Sequence, residues 1–272
     1  MKKLVSTLKL EKKEWLTYRK KGIGGSDAGA VCGLNPYRTA IQVYQDKISE
    51  EIEELDNEAM RQGREFEDYV AKRFMEATGK KVRRANAIFY HEKYPFMLAD
   101  VDRMVVGENA GLECKTASPY MADKWENGKI PLSYQIQCYH YMTVCGADAW
   151  YIAVVIFGKG FRYYKLERDE EMIADLIRIE QDFWENHVLK RQIPSPDGSK
   201  LADSVIAEYY KQTVAETIPL TGFNEKIKRR QELSEIIGKM DTEKRQIEQE
   251  LKLYLGCLLY TSPSPRDMRR SR

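Results

Sequence analysis

The sequence predicts an α/β core, a mixed central β-sheet flanked by helices, followed by a C-terminal helical arm. Three observations carry that prediction. Short runs of alternating or continuous apolar residues, at Val82–Tyr90, within Leu98–Lys115, and at Ala149–Ile156 with Phe161–Leu166, read as strands and hairpins. Stretches with apolar residues at helical spacing, Ala59–Thr78, Leu132–Cys145 and Asp169–Leu189, alternate with them, which is the order expected of a layered α/β protein. Past a Pro/Ser/Gly boundary at 194–198, Phe223, Ile227, Ile237, Met240, Ile247, Leu251 and Tyr254 step by sevens, threes and fours with charge between them. That stripe reads either as a coiled-coil or helical-hairpin arm, or as a helix packed back on the core. The boundaries drawn are a core over 1–195, a linker over 196–222 and an arm over 223–256.

In chain order, Glu11–Arg19 is a short amphipathic helix carrying Trp15 and Leu16, and it runs into Arg19-Lys20-Lys21-Gly22-Ile23-Gly24-Gly25-Ser26-Asp27. The glycines stop the helix, and Ser26 or Asp27 is placed to cap the next one, Ala28–Cys32. Such a segment is either a tight turn before a capped helix or, with three basic residues beside it, a phosphate-catching turn. It lacks the Gly-Lys-Ser/Thr ending of a Walker loop. Asn35–Arg38 is a turn before a helix over Thr39–Lys47. In the long helix Ala59–Thr78, Met60, Phe66, Val70, Phe74 and Ala77 form the apolar face and Gly79 ends it, with Glu67 at the edge of that face. A glutamate there is ordinarily solvated or paired with an arginine such as Arg64. Ser118–Gly128 is helix or loop around Trp125. In Leu132–Cys145, Gln135 and Gln137 sit among aromatics, where an amide either satisfies a core hydrogen bond or orients a water or phosphate oxygen.

Composition limits the alternatives. The chain has 272 residues, enough for one large domain with an appendage, and 44 Lys+Arg against 42 Asp+Glu leave a net charge of +2. Nucleic-acid contact must therefore come from local basic clusters rather than bulk charge. The N-terminus lacks an apolar leader and no run approaches the roughly 20 apolar residues of a membrane span, so an intracellular protein without a membrane partner is expected. Its 5 cysteines form no CxxC pair and read as free thiols in a reducing compartment. The three histidines, His91, His140 and His187, have no zinc-ligand spacing.

The chemistry concentrates in Leu98–Lys115, LADVDRMVVGENAGLECK, a hairpin that carries charge where a core strand should not. Strand alternation puts Glu113 and Lys115 on one face and Leu112 and Cys114 on the other. Two carboxylates, Asp102 and Glu113, with a lysine on adjacent strands form a poor structural motif and a good site for Mg²⁺ or Mn²⁺. At the other end, CLLYTSPSPRD (257–267) reads codon for codon as the conceptual translation of a transposon sequencing adapter. Residues 257–272 are set aside from fold reasoning as an assembly artefact, and the native chain is expected to continue past Gly256.

Several ordered blocks now carry a resemblance: RKKGIGGSDAGAVCGLNPYRT (19–39), RQGREFEDYV (61–70), LADVDRMV (98–105), GLECKTA (111–117) and YQIQCYHYM (134–142). Together they resemble the YqaJ-like viral recombinase family, phage-type alkaline exonucleases related to lambda exonuclease within the PD-(D/E)XK nuclease superfamily. The resemblance spans roughly Trp15 to Leu189 and implies a restriction-endonuclease-like fold. It implies metal ligation by Asp102, Glu113 and the Cys114 carbonyl, with Lys115 as the catalytic lysine. Glu67 corresponds to a helix glutamate near a second ion, Gln135 to the motif glutamine, and Arg19 with Ser26 to the pair that receives a DNA 5′-phosphate. Val101-Asp102 replaces the nominal Pro-Asp, and Asp100 stands where the lambda-type enzyme has a small hydroxyl residue, leaving its role open.

The implied activity is a Mg²⁺-dependent 5′→3′ exonuclease on linear double-stranded DNA, using two Mg²⁺ or Mn²⁺ ions and exposing 3′ single strands for recombination. Its implied partners are duplex DNA ends, a single-strand annealing protein and further copies of itself in a ring. The implied location is the bacterial host cytoplasm, as a phage or prophage product. A catalytically idle DNA-binding or assembly protein on the same fold is the alternative, and the intact Asp102, Glu113 and Lys115 set argues against it. A nuclease with an iron–sulfur cluster would need a four-cysteine ligand pattern that the sequence lacks.

Overall fold

The computed structural model describes residues 1–52, 54, 56–210 and 219–255. It divides into two compact units, Met1–Lys211 and Gln212–Arg272. The first contains two mixed sheets flanked by helices. Its elements are β1 (Lys2–Ser6), α1 (Lys12–Arg19), β2 (Ile23–Gly24), α2 (Gly25–Val31), α3 (Ala40–Ile48), α4 (Glu58–Thr78), β3 (Val82–Arg84), β4 (Ala87–Tyr90), β5 (Met97–Asp100), β6 (Arg103–Val105) and β7 (Ala110–Ala117). A 3₁₀ segment (Pro119–Trp125) follows, then α5 (Leu132–Cys145), β8 (Ala149–Ile156), β9 (Gly160–Glu167), α6 (Glu170–Asp182) with a π-helical extension (Phe183–Leu189), and α7 (Lys200–Tyr209). In the second unit, α8 (Asn224–Leu255) is a helix with no buried residue. The sequence-read tail 257–272 and the last arm residue, 256, lie outside the described residues. No described helix is long and apolar enough to cross a membrane.

Strand order is β1-β4-β5-β2 in one sheet and β3-β6-β7-β8-β9 in the other. Two expected single features are therefore divided. Val82–Tyr90 is β3 and β4, and the charged hairpin is β5, β6 and β7, with each sheet taking part of both. The physical cause is a one-residue mismatch. Arg84 faces Arg103 and Ile88 faces Asp100, so 85–87 on one chain segment must span only 101–102 on the other. Asn86 absorbs the extra residue at φ 51°, a left-handed conformation that asparagine tolerates better than most residues. The break falls beside Asp102, which is thereby freed from the ladder to face β7.

β7 and β8 pair in parallel through the α5 crossover, and helices cover both faces of the sheet. On one side Val70, Ala71 and Phe74 of α4 pack against Leu112, Tyr151 and Ala153. On the other, Cys138 and Met142 of α5 pack against Trp150, Ile152 and Val154. Gly111 is required where it stands, because an added Cβ would lie 2.2 Å from the Trp150 ring. His140 of α5 is fully buried, with Nε2 donating to the Leu98 carbonyl at 2.8 Å and Nδ1 2.8 Å from the Glu180 carboxylate of α6. This histidine is neither a ligand nor idle: it ties α5 to both β5 and α6. Within the stretch read as linker, α7 forms a helix whose Ala202 and Val205 are buried, and it packs on α3.

Candidate active site

β7 carries the chemistry because its two faces meet different layers. Leu112 and Cys114 turn toward α4, whereas Glu113 and Lys115 turn toward α5. The β6–β7 register, Arg103 against Leu112, brings Asp102 beside Glu113, and Asp102 Oδ2 accepts from the Cys114 amide at 2.7 Å. Lys115 Nζ donates to Glu113 Oε1 at 2.5 Å and to Gln137 Oε1 at 3.0 Å, while Gln137 Nε2 donates to Glu113 Oε1 at 2.7 Å. Glu113 is 3% exposed, and its Oε2 has no hydrogen-bond partner.

The electrostatics follow from that burial. Burial, then the neighbouring Glu113 and Glu67 charges, push the Asp102 carboxyl well above the usual carboxylate range. Burial raises Glu113 as well, against the opposing pull of Lys115. Burial alone would lower Lys115, but Glu113, Tyr134 and Asp102 together hold its ammonium above the ordinary lysine value. The site is thus an under-compensated acidic cluster with a charged lysine at its edge. An orphaned carboxylate oxygen in such a cluster costs free energy that a bound cation would recover.

Among the described residues no three His, Cys, Asp or Glu side chains converge as a complete metal cage. The oxygen donors that fit a hard divalent ion are two carboxylates, Asp102 and Glu113, with the Cys114 carbonyl beside them. Their chemistry suits Mg²⁺ or Mn²⁺ rather than zinc. Glu67 stands close enough for its charge to act on both Asp102 and Glu113, but its direct partner is Arg103. Arg64, the partner expected from sequence, instead pairs with Asp56.

The glutamine at the carboxylates is Gln137. Gln135 turns away, its amide donating to the Ile130 carbonyl at 2.8 Å. Two residues on an α-helix are about 200° apart, so only one of the pair can face the sheet.

Arg19 and Ser26 are together, with Nη2 donating to Oγ at 2.6 Å. Their turn lies over α5: a Cβ on Gly25 would sit 2.5 Å from the Tyr141 ring and 3.1 Å from Gln137 Cγ, so only glycine permits this approach. Asp100 receives the Trp15 indole N–H at 2.6 Å, and the Arg19 guanidinium lies 4.7 Å from the Trp15 ring centroid. Asp100 thereby joins the end of β5 to α1, the helix that carries Arg19.

Sequence reasoning missed a second charged cluster beneath this turn. Asp27 is fully buried and accepts from the Gly24 amide at 3.1 Å, Arg38 at 2.5 Å and Lys47 at 2.8 Å. Lys47, itself 1% exposed, also donates to the Arg19 carbonyl at 3.0 Å. The signal was present in Asp27, Arg38 and Lys47, but only the fold of α2 against α3 brings them together.

Residues 14–148 match the YqaJ-like viral recombinase domain. Uncharacterized protein YqaJ of Bacillus subtilis (strain 168) is 41% identical over 258 residues, covering 92% of this chain and 80% of the relative. The chain belongs to the YqaJ-like viral recombinase family. The YqaJ-like core has the fold of the alkaline exonuclease LHK-Exo from Laribacter hongkongensis, at TM-score 0.57 and 19% identity over 72% of this chain and 98% of that one. A phage-related exonuclease from Haemophilus somnus 129PT matches at TM-score 0.50 and 13% identity over 62% and 96% of the two chains. The restriction-endonuclease-like fold expected from the sequence is the fold observed. Asp102, Glu113, Gln137 and the Arg19–Ser26 turn all lie within the matched YqaJ-like domain.

Proposed function

We propose that this chain is a divalent-metal-dependent DNA exonuclease that degrades one strand of linear duplex DNA 5′→3′, leaving 3′ single strands for recombination. The observation that carries the reading is the orphaned Oε2 of Glu113, buried beside Asp102 and a charged Lys115. Family membership and the exonuclease names of the structural neighbours support the same class of activity.

Asp102, Glu113 and the Cys114 carbonyl would hold Mg²⁺ or Mn²⁺, with Glu67 contributing to a second ion. The ion's chemistry is to lower the pKa of a water and to offset negative charge at the phosphate. Lys115, whose ammonium is favoured by the acidic side chains around it, is assigned to orienting the nucleophile and stabilising charge. Gln137 holds Lys115 and Glu113 in register. The Arg19 guanidinium and Ser26 hydroxyl, at the start of α2, receive the terminal phosphate and so set which end of the strand enters. An annealing protein as partner, and assembly of several copies around DNA, belong to the same reading.

The test uses linear duplex with 5′-phosphate or 5′-hydroxyl ends, in Mg²⁺ or in chelator. Digestion is expected only with the metal, and phosphorylated ends are expected to be cut about 10-fold faster or more, the scale of losing a charge-assisted contact. Arg19→Ala should erase that preference. DNA retention without cleavage in Mg²⁺ would overturn the enzyme in favour of a binding protein. In the same assay Gln137→Ala is expected to slow turnover by about 10- to 100-fold, as removal of a partner that orients a metal ligand does, with Gln135→Ala near wild type. Equal losses in both variants would contradict the assignment.

A further inference from the structure

Arg103 is an unusual residue for the middle of a sheet: it is 4% exposed and lies next to Asp102 in the chain. Its Nη1 donates to Glu67 Oε1 and, at 2.6 Å, to the Asp102 carbonyl, while Nη2 donates to Asp68 Oδ1 at 2.5 Å. Asp68 is held from its other side by Arg84 of β3. One guanidinium therefore grips two consecutive acids of α4 and the backbone of the strand that presents Asp102. Glu67 would otherwise be a glutamate at the edge of a helix face, 30% exposed and repelled by Asp102 and Glu113. Such a side chain favours solvent unless something holds it.

We infer that Arg103 is a positioning residue that holds Glu67 beside Asp102 as a donor for a second divalent ion, engaging one Glu67 oxygen through a fork anchored on the Asp102 carbonyl. The inference rests on the metal-dependent reading above. The planar fork is what the task requires. A lysine would carry the same charge, but as a point donor it could not satisfy Glu67, Asp68 and the carbonyl in one fixed geometry.

The experiment is a titration of the full chain with Mn²⁺ alone, by calorimetry and by electron paramagnetic resonance of free Mn²⁺. Two sites are expected in the wild type. Arg103→Gln should weaken one of them by about 10-fold or more, the usual cost of removing a partner that orients a metal ligand, and leave the other unchanged. Glu67→Gln should weaken the same site, and the double variant should bind no more weakly than Glu67→Gln, because Arg103 acts through that carboxylate. Thermal melting reports whether Arg103→Gln is folded. If it is not, Arg103→Lys, which retains the charge without the fork, should show the same selective loss. Unchanged affinities in a folded Arg103 variant, equal weakening of both sites, or additive losses in the double variant would overturn the inference while leaving the metal-dependent function standing. Absence of Mn²⁺ binding by the wild type would instead remove the metal-dependent reading and this inference with it.

Discussion

Lys115→Ala is expected to reduce duplex hydrolysis by about 10²- to 10³-fold, the scale seen when a preorganised charge-stabilising donor is removed. The variant should stay folded. Lys115 is the shortest contact of Glu113, but Gln137 still donates to the same Oε1 at 2.7 Å. Burial also already favours the protonated form of Glu113, so losing the ammonium lets that carboxyl take up a proton rather than remain an unpaired buried charge. Single-turnover rates on end-labelled duplex, with a melting curve as the fold control, make the comparison. Undiminished cleavage by a folded Lys115→Ala protein would remove the mechanism.

The largest expected stability effect is at Asp27→Ala, beneath the Arg19–Ser26 turn. Asp27 is the anion between Arg38 and Lys47, and Lys47 is as buried as Asp27 itself. Removing the carboxylate takes the 2.8 Å partner from a buried ammonium and leaves it only the partly exposed Asp46 at 3.6 Å, a loss on the scale of about 3–5 kcal/mol for a broken buried pair. Denaturant unfolding of the two proteins measures it, and a difference under about 1 kcal/mol, the level of a surface pair, would show the cluster to be idle. The pH dependence has a definite sign. Burial alone would raise the Asp27 carboxyl, but Lys47, Arg38 and Arg19 outweigh it and hold the folded value far below the usual range. A depressed folded value contributes stability that is complete above the unfolded value of about 3.9 and lost as pH falls toward the folded one. Wild type should therefore lose stability on acidification below pH of about 4 more steeply than Asp27→Asn. Since Lys47 also holds the Arg19 carbonyl, Asp27→Asn should in addition blunt the preference for 5′-phosphorylated ends.

Asp102, Glu113 and Lys115 were legible in the sequence because their relation is local. Alternation along one strand and a short return place them together whatever surrounds them, and charge inside an apolar run marks the place. The helices α4 and α6 were legible for the same reason, through a period of 3.6 that needs no knowledge of the fold. The two-residue strand β2 carries no such signal. It exists because it pairs in parallel with β5, a contact between segments distant in sequence.

The tertiary structure decided everything that depends on how elements turn toward one another. The rotation of α5 about its axis selects Gln137 over Gln135, and a periodic pattern of aromatics on both sides of a helix gives no phase to choose with. The docking of α4 on β6 gives Glu67 to Arg103 rather than to Arg64. The one-residue mismatch around Asn86 marks where the hairpin divides between two sheets, beside Asp102 and Glu113. The packing of α2 on α3 adds to the capping bond of Asp27 a place at the centre of a buried charge cluster. By itself the sequence determined the α/β class, the charged strand and the meeting of Asp102, Glu113 and Lys115, because these follow from spacing along one chain segment. Which side chains complete the site was left to the fold, because hydrogen bonds and ion pairs across layers depend on orientation, and orientation is set only when the core packs.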